Sequence, residues 1–293
     1  TSGRSSGALG RSLVVPRYNR VSLGVFLQRS QDRLAPVRGL LNQRGITMQV
    51  LENTAIRVTL PNELAEKAIG SIEKCRVVTD LGTRKDLVVY WGLEETSILS
   101  EIIDEKQPDP NLPNTVSPML RDYNWPGVFT PFNHQKDTAS FLSLRRRAFC
   151  FNEAGTGKTS AAIWAADYLM NLGEIKRVLI ICPLSIMQSA WQADIFKTAM
   201  HRKCGIAHGS ADKRKKVLAG DYEFVVINFD GVHTVFDAIK SAAFDLIIVD
   251  EANAYKSATT RRWKTLAKLI TADTRLWMMT GTPAAQSPLD AFG

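Results

Sequence analysis

The sequence predicts an α/β fold, a parallel sheet flanked by helices, preceded by a small α+β domain. Three observations predict it. Beyond residue 122, short and nearly continuous apolar runs alternate with segments of helical periodicity, as in a parallel sheet covered on both faces. A small-residue loop ending in Gly-Lys-Thr lies between the first run and the first helical segment. Ahead of a proline-rich break, the apolar runs instead pair around a turn and share their stretch with a helix.

The 293 residues are 45% hydrophobic and 23% charged, enough to bury a core in one large or two modest domains. The net charge of +8 is compatible with a polyanionic partner. It is unevenly spread: residues 1–44 carry +7, residues 45–115 carry −5 and residues 116–293 carry +6. Cys75, Cys150, Cys182 and Cys204 have neither zinc nor disulfide spacing, and read as buried thiols of a reducing compartment. The longest apolar runs, such as "VLIICPL", are far too short to span a bilayer, so no membrane partner is expected.

In chain order, residues 1–20 form a basic leader, "TSGRSSGALGRSLVVPRYNR". It is open to three readings: a solvated segment, a transit peptide, or an arm that touches phosphates. Residues 21–103 are assigned to the small domain. "TMQVLE" and "AIRVTLP" read as strands paired about Asn53, "NELAEKAIGSIEK" as a helix N-capped by Asn62, and "CRVVTD" and "LVVYWG" as two further strands. Residues 104–122 read as a linker, because "DEKQPDPNLPNTVSP" holds four prolines and little apolar surface. Residues 123–293 form the main domain. Its strands are "AFCF", "RVLIICP", "FVVINF", "FDLIIVD" and "TRLWMMTG", with helices between them.

The strand–loop–helix setting of "FNEAGTGKTS", residues 151–160, is the one a P-loop requires. Gly155, Thr156, Gly157, Lys158, Thr159 and Ser160 would cradle the phosphates of ATP, with backbone N–H groups and the helix N-terminus facing them. Lys158 supplies positive charge and Thr159 a hydroxyl for Mg²⁺. Asn152 stands where the strict pattern has its first glycine. "LIIVDEANAYK" then delivers Asp250 and Glu251 to a strand end. Asp250 would hold Mg²⁺ and Glu251 would orient and deprotonate the attacking water. Each motif alone also fits a bland reading, a surface turn or a pair of solvated acids. Their order along one chain favours the site.

These residues carry a resemblance. "NEAGTGKT", "ICPLSIMQSAWQADIFK", "VVINFDGV", "DEAN" and "MTGTPAAQSP" resemble, in that order, motifs I, Ia, Ib, II and III of superfamily-2 helicases of the Swi/Snf-type DNA translocase branch. "FTPFNHQKDTASFL" resembles the upstream motif in which Gln135 reads the adenine and Phe132 stacks on it. The match runs over about residues 125–293, and the wording looks most like bacteriophage-encoded members. It implies a RecA-like first lobe, a DNA-dependent ATPase using ATP and Mg²⁺, DNA as partner through its backbone, and a host-cytoplasmic location. It also implies a second RecA-like lobe carrying an arginine finger. No motif of that lobe is present, so this stretch alone would bind ATP and hydrolyse it slowly. Asn253, Thr280 and Thr282 fall where the family couples ATP to DNA, although the family has His at position 253 and a different triplet from Ala284-Ala285-Gln286.

Ser185 and Gln188 are candidate donors to DNA phosphates, or a plain helix start. "RRR" at 145–147 and "DKRKK" at 212–216 are either solvated faces or phosphate contacts. Trp191, at helical spacing from Met187 and Ile195, reads as core. His201 and His208 lack metal-ligand company. The alternative to a motor is a nucleotide-gated module that binds DNA or protein without moving. The small-molecule kinases share the P-loop but have no reason for the rest of the ordered set.

Overall fold

The computed structural model describes residues 46–104 and 117–281. The leader, most of the linker, Thr282 and the 284–286 triplet lie outside the described residues. Two sheets of opposite character organise the rest. The first is antiparallel, in the order β1-β2-β4-β3, with β1 at Thr47–Leu51, β2 at Ala55–Pro61, β3 at Cys75–Asp80 and β4 at Arg84–Tyr90. Glu52 and Asn53 both take positive φ, which gives the β1–β2 hairpin its tight turn. Ile56, Val58 and Leu60 alternate inward from β2 and pack with Leu87 and Val89 under the helices Asn62–Ser71 and Leu93–Asp104. Asn62 begins its helix rather than capping it: Pro61 holds the cap position, and the Asn62 amide donates to the Gly82 carbonyl.

The second sheet is wholly parallel, in the order β5-β10-β9-β6-β8-β7. Its strands are β5 (Arg147–Cys150), β6 (Val178–Cys182), β7 (Cys204–Ala207), β8 (Phe224–Asn228), β9 (Leu246–Asp250) and β10 (Arg275–Met279). Every residue of β6, β8 and β9 is buried, as expected of strands covered on both faces. Alternate residues feed two cores. Val178, Ile180, Val226, Ile248 and Trp277 meet the helices Asn133–Leu144 and Lys158–Asn171. Leu179, Ile181, Val225, Ile247 and Met278 meet the helices Ala211–Ala219, Phe236–Ala242 and Arg261–Leu269. The sequence reading of five strands missed β7, a four-residue edge strand.

Two helical expectations need correction. "GVHTVFDAIKSA" makes two short helices, Phe229–Thr234 and Phe236–Ala242, rather than one. "SIMQSAWQADIFKTA" begins as a 3₁₀ turn at Leu184–Ile186, widens to a π-helical turn at Met187–Gln192, and only then becomes α-helical at Ala193–Thr198. Among the described residues no helix is long and apolar enough to cross a membrane.

Candidate nucleotide site

Parallel strands bring their carboxyl ends to one edge of the sheet, the place where such sheets bind ligands. In register, Cys150 of β5 lies beside Met279 of β10, and Met279 beside Asp250 of β9. Three chain segments therefore leave the sheet side by side: the glycine loop, Thr280-Gly281, and Glu251. The Thr280 N–H donates to the Cys150 carbonyl (3.0 Å), and Thr280 is 2% exposed. At Gly281 even a methyl group would press to 3.1 Å of the Ala154 nitrogen and 3.5 Å of the Lys158 ammonium. Sequence residues far apart are thus packed against the loop.

The loop is held open from below. Gly155 and Gly157 take φ of 80° and 78°, a left-handed conformation that glycine adopts without penalty. Gln135, 8% exposed, accepts from the Phe132 N–H (2.9 Å) and donates to the Thr156 carbonyl (3.3 Å), and His134 contacts that carbonyl too (3.0 Å). The Asn152 amide donates to the Thr138 hydroxyl (2.7 Å). The residue that replaces the first glycine therefore ties the loop to the helix Asn133–Leu144. Phe132 is 69% exposed and stacks on His134, leaving an aromatic face on the surface beside the loop.

The donor set fits a triphosphate. The first helical bond runs from the Ala161 N–H to the Gly157 carbonyl. The N–H groups of Lys158, Thr159 and Ser160 lie ahead of it, without intrahelical partners. Lys158 folds onto its own loop, donating to the Glu153 carbonyl at 3.3 Å. Its charge also reaches Asp250, whose carboxyl group burial pushes above the usual range while Trp191, the Glu251 N–H and Lys158 draw it back. Asp250 is 7% exposed, its Oδ2 accepting from the Trp191 indole (2.9 Å) and its Oδ1 from the Glu251 N–H (3.0 Å). Trp191 is fully buried, as its spacing predicts, but its bond to Asp250 joins residues 59 positions apart, which local spacing does not show.

Glu251 has φ 54° and ψ 57°, left-handed for a residue with a side chain. Such strain costs about 1–3 kcal/mol and persists where surrounding structure enforces it, often at functional sites. Asn253 follows, half-buried in the 3₁₀ turn Ala252–Tyr255. Ser185 and Gln188 are both exposed beyond the carboxyl end of β6, on the same edge. The basic clusters divide. Arg145 is buried, Arg146 and Arg147 donate to the carbonyls of Ala272 and Thr271, and Arg214 turns inward to Ala207, Gly209 and Asn228. Lys213, Lys215 and Lys216 remain exposed.

Comparisons with known proteins bear on the family and the fold. Residues 134–293 match the SNF2-related domain family. Protein p41 of Acyrthosiphon pisum secondary endosymbiont phage 1 is 30% identical over 176 residues, covering 57% of this chain and 38% of that protein. The transcription regulatory protein SNF2 of Saccharomyces cerevisiae is 31% identical over 137 residues, 45% of this chain and 8% of that protein. The chain thus spans well under half the length of either relative. The fold resembles the Sulfolobus solfataricus SWI2/SNF2 ATPase core solved with dsDNA, at a TM-score of 0.50 and 22% identity, over 57% of this chain and 35% of that one.

Proposed function

The chain belongs to the SNF2-related domain family, and from there we propose that it is the ATP-binding lobe of a motor that hydrolyses ATP to move along DNA. The observation that carries this reading is the shared sheet edge: the loop that bears Lys158 leaves β5, Asp250 ends β9, and Thr280-Gly281 leaves β10 between those strands, with Gly281 against Ala154 and Lys158.

The loop N–H groups and the Lys158 ammonium bind and orient the terminal phosphates of ATP. Gln135 and Phe132 grip the adenine. Thr159 and Asp250 would hold magnesium, which when bound neutralises charge on the phosphates. Glu251, just past the carboxyl end of β9, accepts the proton of the attacking water. Ser185 and Gln188 contact DNA phosphates, so sequence preference is weak. Asn253, Thr280 and Thr282 link the two sites. Closure of a second lobe onto this edge would add the remaining charge stabilisation, worth about 10³–10⁵ in rate for an arginine finger.

The test uses the intact protein. Lys158→Ala abolishes ATP binding. Glu251→Gln keeps binding and lowers DNA-stimulated hydrolysis by about 10²–10⁴. Hydrolysis that survives either change overturns the assignment. Asn253, in place of the family's histidine, favours a second reading, a module that binds ATP and DNA without stepping. That reading predicts ATP turnover unresponsive to duplex.

A further inference from the structure

We infer that Trp191 is a positioning residue of the acidic site: its indole N–H holds the Asp250 carboxylate in the orientation that receives magnesium. The inference rests on the nucleotide-site reading above and assigns a role that reading leaves open.

A carboxylate at 7% exposure is costly unless its oxygens are bonded. Asp250 has two N–H partners, and they are not equivalent. The Glu251 N–H belongs to the next residue and moves with the strand end. The indole arrives from 59 positions away in sequence, on a different segment, and so fixes the carboxylate plane relative to the rest of the fold. Each oxygen accepts one donor and keeps lone-pair capacity for a cation or its waters. The chemistry of the donor matters as well. An ammonium or guanidinium here would orient the carboxylate while cancelling its charge. An indole N–H orients it and leaves the charge intact.

Two other buried tryptophans use their indoles differently. Trp164 gives its N–H to the Pro126 carbonyl, and Trp277 gives its own to the Arg145 carbonyl. Both satisfy a core indole with backbone, whereas Trp191 gives its proton to an ionisable side chain. The local backbone is also unusual. The π turn Met187–Gln192 holds an extra residue compared with an α-helix, and one residue of register rotates a side chain by about 100°. Trp191 lies within this wide turn and reaches the end of β9 from it.

The experiment titrates Mg²⁺ into the chain with a fluorescent ATP analogue and reads nucleotide binding, not turnover. Trp191→Phe removes the N–H and some volume. β-(3-benzothienyl)alanine at position 191 keeps the ring shape and puts sulfur in place of the N–H, which serves if the Phe variant folds poorly. The Mg²⁺ concentration for half-maximal binding rises about tenfold or more in both. Nucleotide affinity without Mg²⁺ stays the same, a separation that a merely structural role would not give. An unchanged Mg²⁺ midpoint in the isostere, or an equal loss with and without Mg²⁺, overturns the role of Trp191. Absence of nucleotide binding by the native chain, or binding that survives Lys158→Ala, overturns the underlying site instead.

Discussion

A methyl group added at position 157 would come within 2.0 Å of the Gln135 amide nitrogen, whereas at position 155 it would meet nothing within 4 Å. Both glycines are left-handed, so either substitution costs about 1–2 kcal/mol of backbone strain. Only at 157 does the side chain also push Gln135 off the Thr156 carbonyl and the Phe132 N–H. A hydrogen bond is worth about 1 kcal/mol net, and a tenfold change in affinity is about 1.4 kcal/mol. Gly155→Ala should therefore weaken ATP binding by about tenfold, and Gly157→Ala by a further tenfold or more. Calorimetric titration with ATP–Mg²⁺ checks it. Equal losses at the two positions would show that Gln135 does not brace the loop.

The helix Lys158–Asn171 carries the loop, and its burial shows what holds the site rigid. Every residue from Ser160 to Met170 is buried, including Asp167 at 0% exposure. Asp167 accepts from the Tyr123 hydroxyl (2.6 Å) and from Arg202 Nε (2.6 Å), and His201 contacts it at 2.8 Å. Burial beside this carboxylate pushes the Tyr123 phenol above its usual range, which keeps it a donor. Asp167→Ala would strand the Tyr123 hydroxyl and take one partner from Arg202. Breaking a buried pair costs about 3–5 kcal/mol, and Arg202 retains Glu223, so the lower end, about 3 kcal/mol, is expected in urea unfolding. A loss under about 1 kcal/mol would mean that the network is solvated in solution. Such a residue is hard to read from sequence, since an aspartate in "WAADYLMNL" looks like the polar stripe of an amphipathic helix. The strands were legible where both faces are buried: "VLIIC", "FVVIN" and "LIIVD" each open with an unbroken run of at least four apolar residues. "CGIA" was not, because an edge strand of four residues with one glycine has too little apolar length to stand out. At the site, Lys158 and Asp250 were legible because the chemistry fixes their spacing from a strand end. Trp191 and Asn152 were not, because long-range packing decides what each side chain meets.

Charge is distributed so that the two sheets offer different surfaces to a polyanion. Residues 45–115, which hold the antiparallel sheet, carry −5, while residues 116–293 carry +6. The helix Ala211–Ala219 starts just past the carboxyl end of β7, with Ser210 capping the Lys213 N–H. That puts Lys213 in its first turn, on the sheet edge from which the glycine loop and Ser185 also depart. Arg76, equally exposed, sits on β3, an edge strand of the antiparallel sheet. Lys213→Ala and Arg76→Ala each remove one positive charge from an exposed position, so stability and net charge change alike, and only location differs. Each phosphate contact contributes about 0.9 to the slope of log affinity against log salt. If DNA lies on the edge that holds the candidate nucleotide site, Lys213→Ala lowers that slope by about one and weakens binding to all duplexes uniformly. Arg76→Ala leaves the slope where it was. Duplex binding measured by fluorescence anisotropy at several salt concentrations distinguishes the two, and a slope that drops for Arg76→Ala but not for Lys213→Ala would move the DNA to the antiparallel sheet and separate it from the ATP site.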